Sequence, residues 1–429
     1  MKSWLLLPLL LLVTSPLVFC QLLSGPMIGH QTPEETDIWL QTKRPMQLSI
    51  TYGIKGEENE TMLSLNTVQA NWNTSTINLV RLQPETRYVY KISSEESVLF
   101  DGEFKTPKYV DTKNLDSFVF AFGSCTYVNE VTSGDTSEPF GRPLDIFKSI
   151  QDKQPNFMLW LGDNIYLRQG EWSSKSGIYR RYTDFKSQPE LQSFWQKMPH
   201  YAIWDDHDFG PNDADRSFIN KDITLQAFKD FWANPNYGVQ GRSGITSQFN
   251  YQDIEFFLLD NRYFRSPNDR KTGEREILGK AQIEWLVDAL VNSKATFKFV
   301  VVGGQFLSDA AVYENHATYP AERSYLLDLL EKEELKNIVF LTGDRHKTEL
   351  SQLTFKNGTT LYDFTSSPMA SKAFDSENEG NTNQVKGTHV ATQNFGTISV
   401  SGEYRDRKLV LKTFDSTGKL LWEKQILKQ

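Results

Sequence analysis

Four short stretches of this 429-residue chain concentrate side chains that hold metal ions: Gly123-Ser124-Cys125, Gly162-Asp163-Asn164-Ile165-Tyr166, Asp205-Asp206-His207-Asp208 and Gly343-Asp344-Arg345-His346. Carboxylates brought together at one place repel one another and raise each other's pKa unless a cation neutralises them. Aspartate oxygens suit hard ions, whereas thiolate, phenolate and imidazole together suit a transition metal such as ferric iron or zinc. The chain's other cysteine, Cys20, sits in the leader, so Cys125 has no disulfide partner. Coordination would give its thiol a role, because a metal deprotonates a thiol outright.

The stretches share a position. Each follows an apolar run of strand character: 117–122, 156–161, 201–204 and 338–341, with further such runs at 254–259, 297–302 and 361–364. Between them, apolar residues recur at three and four over 144–151, 223–232, 281–292 and 321–335, which predicts helices. Strand, loop and helix in alternation indicate a layered α/β domain. Ligands in such domains gather beyond the carboxyl ends of the strands, so the four stretches should converge there. The tail 395–427 alternates again around the Asp415-Ser416-Thr417-Gly418 turn and reads as a closing hairpin. The polar stretch 375–387 reads as a mobile loop.

Upstream, 25–107 is a series of short alternating strands with turn residues between them, which suggests a small β-sandwich. Leu82-Gln83-Pro84-Glu85-Thr86-Arg87-Tyr88 resembles the late strand of fibronectin type III-like domains, where a tyrosine locks a corner. The expected division is a signal peptide at 1–20, a β-sandwich at 21–108 and the α/β domain at 109–429. Met1 and Lys2 lead into an apolar stretch broken by Pro8 and Pro16, so export to the periplasm or medium is expected. The bulky Phe19 favours removal of Cys20, the alternative being an acylated Cys20 that tethers the protein to a membrane.

A formal charge of -8 with scattered Lys and Arg excludes the sustained positive field that a polynucleotide demands. Small phosphate esters remain compatible, because metal ions supply positive charge locally. No Gly-x-Ser-x-Gly elbow argues for a serine esterase. His30, His200, His316 and His389 lack carboxylate neighbours in sequence and read as packing or surface residues.

The order of Gly-Ser-Cys, Gly-Asp-Asn-Ile-Tyr, Trp-Asp-Asp-His-Asp, Leu259-Asp260-Asn261-Arg262 and Gly-Asp-Arg-His, after a Gly-Pro-Met-Ile-Gly start, resembles the PhoD-like alkaline phosphatases. These are relatives of the purple acid phosphatases within the calcineurin-like metallophosphoesterase superfamily. The resemblance implies an α/β metallophosphoesterase β-sandwich flanked by helices, preceded by a fibronectin III-like all-β domain. It implies Asp163 as the carboxylate bridging two metals, Tyr166, Cys125 and His346 on a ferric ion, and Asp206 and Asp344 on a calcium, with zinc or manganese as other occupants. His207 would lie beside the substrate phosphate and either stabilise charge or protonate the leaving group, with Asn164, Arg262, Arg265 and Gln305 as further phosphate contacts. Asp205 and Asp208 stand open between ligation and orienting their neighbours. The implied activity is hydrolysis of phosphoric esters by a monomeric enzyme, a metal-bound hydroxide attacking phosphorus in line. The alternatives are a phosphodiesterase of the same fold and a non-catalytic surface-binding protein.

Overall fold

The structure, a computed structural model, describes residues 21–95, 97–129, 139–376, 379–404 and 406–429. The leader and Cys20, with the expectations resting on them, lie outside the described residues. Seven strands come first: β1 (Leu22–Gln31), β2 (Thr36–Thr42), β3 (Met46–Ile54), β4 (Glu60–Thr67), β5 (Thr74–Leu79), β6 (Arg87–Ser93) and β7 (Val98–Lys105). They form antiparallel sheets ordered β1-β2-β5 and β4-β3-β6-β7. Alternate side chains such as Ile38, Leu40, Ile50, Tyr90, Ile92 and Phe104 make a core of their own. The expected tyrosine corner is present, with the Gln83 backbone N–H donating to the Tyr88 hydroxyl at 2.8 Å. Trp39 points the other way into the main core, its indole N–H donating to the Asp230 carbonyl, so this sandwich is packed onto the rest of the protein.

Two six-stranded sheets follow. One begins with β8 (Phe118–Gly123), β9 (Met158–Leu161) and β10 (His200–Ile203), which are parallel. The other consists of β11 (Ser247–Tyr251), β12 (Ile254–Leu258), β13 (Phe297–Val301), β14 (Ile338–Thr342), β15 (Glu349–Thr354) and β16 (Thr360–Thr365), ordered β11-β12-β13-β14-β16-β15. The chain then returns to the first sheet with β17 (Asn394–Ser401), β18 (Lys408–Asp415) and β19 (Leu420–Leu427), giving β10-β9-β8-β17-β18-β19. The expected closing hairpin is β18 and β19, joined by the 415–418 turn.

The two sheets are held face to face by aromatic rings: Phe120 lies edge-on to Phe256 and Phe299 at 5.3 and 5.2 Å, and Phe122 edge-on to Phe364 at 4.8 Å. Helices cover the outer faces. α1 (Ile146–Asp152), α2 (Lys175–Lys186), α3 (Pro189–Trp195) and α5 (Lys221–Phe231), with the one-turn α4 (Asp206–Phe209) before it, belong to the first sheet, where Trp160 meets Phe147, Phe185, Phe194 and Trp195. α6 (Lys280–Asn292) and α7 (Pro320–Lys332) cover the second through Leu286, Leu290, Leu326 and Leu330. β12, β13 and β14 are parallel and buried on every residue, which explains their near-continuous apolar runs.

The stretch expected to be mobile is tied down in its described part. Glu379 is paired with Arg345 and Lys347, Asn381 donates to Glu349 and Ser351, and the backbone N–H of Thr382 donates to Asp309. Polarity there serves buried and rim charges rather than solvent.

Candidate metal centre

The carboxyl ends of β8, β9, β10 and β14 deliver Cys125, Asp163, Asp206 and Asp344 with His346 to one place. Three sets of potential ligand atoms each lie within 4.8 Å of one another: Cys125, Asp163 and His346; Asp163, Asp206 and His207; Asp205, Asp206 and Asp344. Asp163 belongs to the first two sets, and Asp206 to the last two. Tyr166 joins the first set, its hydroxyl 3.3 Å from Asp163 Oδ2 and 3.1 Å from His346 Nε2. The Cys125 thiol lies 3.4 Å from the same Asp163 oxygen.

The backbone is bent to make this possible. Cys125, Asp163, Asp344 and His346 all have left-handed φ, between 50° and 69°. Non-glycine residues held there are costly and collect at functional sites. Gly162, with φ of 91°, begins the turn that presents Asp163; a Cβ on it would come within 2.9 Å of the Trp204 and Asp205 backbone. Asp208 fixes the same turn, accepting from the backbone N–H groups of Asn164 and Ile165, and also from that of Asp205. Asp205 in turn caps α4 and accepts from Asn261 and Arg262. Ser367 and Ser124 donate to the Cys125 sulfur at 3.2 and 3.4 Å.

Taken as protein alone, the cluster is electrostatically unfavourable. Burial first, then Cys125 and the neighbouring aspartates, pushes Asp163 far above the usual carboxylate range. Burial and Asp205 push Asp344 up to about 8 despite Arg345, and burial pushes the Cys125 thiol up to about 12. Asp206 goes the other way: burial raises it, but His207, Arg262 and the Asp213 N–H outweigh burial and bring it to about 2. Asp205 Oδ2 and Asp206 Oδ1 are buried and accept no hydrogen bond. Buried oxygens without donors, among carboxylates that burial disfavours, are what a cation would resolve, so the residues present fit metal ions.

A pH dependence follows. Asp344 gains a folded-state pKa of about 8 against an ordinary value of 3.8, so folding is favoured by its proton below pH 4, and that contribution is lost as pH rises through 8. Metal-stripped protein is therefore expected to melt at progressively lower temperature between about pH 4 and pH 8, and metal-loaded protein is not. Melting curves across that range check it; a flat profile for stripped protein would contradict it.

The other expected site residues have different placements. His207 stands at the mouth, its side chain 23% exposed, its backbone N–H 3.4 Å from Asp163 Oδ1 and its ring 4.3 Å from that of Tyr166. Asn164, Arg262 and Gln305, expected against the substrate phosphate, also make contacts within the protein. The Asn164 amide donates to the Ile203 carbonyl. Arg262 is 1% exposed and spread over Asp205, Glu314 and, at 3.7 Å, Asp206. Gln305 is fully buried, donating to Glu349 and Thr365 and accepting from Arg345. Arg265 reaches Glu314 at 3.0 Å. His30, His200 and His316 lie in packing environments and His389 pairs with Asp375. Sequence reasoning missed Glu314, Asp213 and Ser367 and gave Ser124 no role of its own. Asp213 and Glu314 form a further close group with Asp206.

The profile described as PhoD-like phosphatase matches residues 120–406, well over half of the chain and all of the metal-capable residues above. The chain belongs to the PhoD-like phosphatase family. Alkaline phosphatase D of Bacillus subtilis (strain 168) is 24% identical over 321 residues, 63% of this chain and 53% of that protein, so the match spans about half of the relative's length. A solved PhoD structure superimposes with a TM-score of 0.75 at 16% identity, over 94% of this chain and 91% of the other. A purple acid phosphatase from yellow lupin seeds gives 0.69 at 14%, over 94% and 74%. Both likenesses show the fold: this PhoD-like chain and the two solved proteins share paired sheets with an all-β region ahead of them. Among the described residues no helix is long and apolar enough to cross a membrane.

Proposed function

We propose that the chain hydrolyses phosphoric esters at this centre, with ferric iron among Cys125, Tyr166 and His346, calcium beside Asp206 and Asp344, and Asp163 shared between them. The observation that carries the reading is the position of Asp163 in two ligand sets, one with the Cys125 thiol, the Tyr166 phenol and the His346 imidazole, the other with Asp206 and His207, Asp206 in turn leading into the all-carboxylate set of Asp205 and Asp344. Bound cations would supply Lewis acidity, polarising phosphoryl oxygens and acidifying water.

The chain's own groups do the rest. Cys125, Asp163 and Tyr166 are buried, whereas His207 and Asp344 reach solvent at the mouth, so an ester meets the centre from their side. His207 is held there by its backbone N–H on Asp163, with Nε2 3.9 Å from Asp206 Oδ2. A ring so placed can hand a proton to the departing oxygen. Asp208 and Asp205 keep the two ligand-bearing turns in register, and Arg262 balances the charge of Asp205, Asp206 and Glu314. Export is carried forward with this reading, on the basic-then-apolar order of residues 1–20.

Release of 4-nitrophenol from its phosphate mono- and diesters, with and without a chelator, tests the proposal: turnover lost on chelation supports it, and chelator-insensitive turnover or none at all opposes it. His207→Ala is expected to lower kcat about 10²- to 10⁴-fold with a smaller change in KM. An unchanged kcat would remove His207 from proton transfer.

A further inference from the structure

The mouth of the centre carries aromatic rings that ligation does not use. Tyr127 and Phe140 pack against each other at 5.0 Å and against Tyr166 at 5.0 and 6.0 Å, and Phe140 reaches the His346 ring at 5.6 Å. Phe374 stacks on His346 at 5.3 Å and 29°. Tyr313 lies over the Arg345 guanidinium at 4.7 Å, and that guanidinium is 3.8 Å from Asp344 Oδ2. Arg345 and His346 are consecutive, so Phe374 and Tyr313, from separate loops, each pack on a side chain of the segment that carries Asp344.

Rings present only to keep water from His346 would themselves be covered. Phe374 is 46% exposed and Tyr313 77%, beside half-buried Tyr127 and Phe140. Tyr313 also has a left-handed φ of 48°, a conformation that bulky residues seldom adopt and that concentrates at functional sites. Single exposed aromatics need no explanation, but several sharing the rim of a polar centre make an apolar contact surface joined to a few oriented polar groups. The flat faces of Phe and Tyr favour stacked or edge-on partners.

We infer that this collar binds the organic part of the substrate, and that the part it takes is a flat unsaturated ring, as in an aryl or nucleobase-bearing phosphate ester. The inference rests on the phosphoester reading above and adds a substrate class to it. Phosphate would sit toward the metal-capable groups and the ring against the exposed faces of Phe374 or Tyr313.

Calorimetric binding to metal-loaded protein tests this without turnover or leaving-group effects. Phenylphosphonate is expected to bind about tenfold more tightly than methylphosphonate. Cyclohexylphosphonate, of similar bulk but not flat, should fall between them. Adenosine 5′-monophosphate against ribose 5-phosphate distinguishes a nucleobase from a simple aryl group as the preferred ring. Phe374→Ala and Tyr313→Ala should bring the phenyl-to-methyl ratio toward one, and Phe374→Leu, which keeps apolar cover over His346, should reduce it without loss of metal. Equal binding of phenyl and methyl compounds, or a ratio that the variants do not move, overturns the inference while hydrolysis stands. If neither methylphosphonate nor inorganic phosphate binds, the phosphoester reading falls and this one with it.

Discussion

Asp163→Asn is expected to lower phosphate release by about 10³-fold or more while the protein still folds. Asparagine has the same shape but offers one neutral oxygen and an NH2 donor, so it cannot supply negative charge to two ligand sets at once. Its neighbours are poorly suited to the change: the Cys125 thiol and Tyr166 hydroxyl both lie within 3.4 Å of Oδ2, and the His207 N–H is 3.4 Å from Oδ1. Stability moves differently. Burial and the surrounding acids already push Asp163 toward its protonated form, so replacing it with a neutral amide relieves the metal-stripped protein. The stripped variant should melt at or above the wild type, the metal-loaded variant below it. Near-normal turnover in the variant would defeat the bridging role.

Arg262→Ala is expected to cost about 3–5 kcal/mol of folding stability in metal-stripped protein at neutral pH. The guanidinium is 2.5 Å from Asp205 and from Glu314 and 3.7 Å from Asp206, with almost no solvent contact. Its loss leaves three acidic side chains buried with too little positive charge among them, since Arg265 pairs directly with Glu314 and acts on Asp206 only at longer range. The effect has a pH signature. Burial raises Asp206, but His207 and Arg262 together bring it down to about 2, so the stability it provides is present above pH 4 and lost as pH falls through 2. The gap between wild type and variant should therefore narrow on acidification. Denaturant titrations at pH 7 and near pH 3 measure it, and a loss under about 1 kcal/mol at pH 7 would show that the network is not held by this residue.

Much of this was legible in the sequence because burial and chemistry point the same way there. β12, β13 and β14 read as strands because both faces are covered and every residue is buried. The metal-capable residues were legible because they follow those strands or their neighbours directly. α2 was not, since its buried residues include Arg181 and Lys186, which hide the apolar stripe. β15 was not, since Glu349 and Ser351 are buried against Gln305, Gln384 and Asn381 rather than in an apolar layer. Arg262 and Gln305 look like anion-binding residues by type; only tertiary contacts reveal that their donors are already occupied. Glu314 lies in a loop without motif or periodicity, and its role arises wholly from the arginines that the fold brings to it.

Elemental analysis of the native protein, beside Asp163→Asn prepared in the same way, bears on all of this at once. About one iron per chain with accompanying calcium, and a marked loss of both in the variant, is the outcome that a shared carboxylate requires. Fully active protein holding only traces of any metal, or a variant that keeps its full complement, would contradict it.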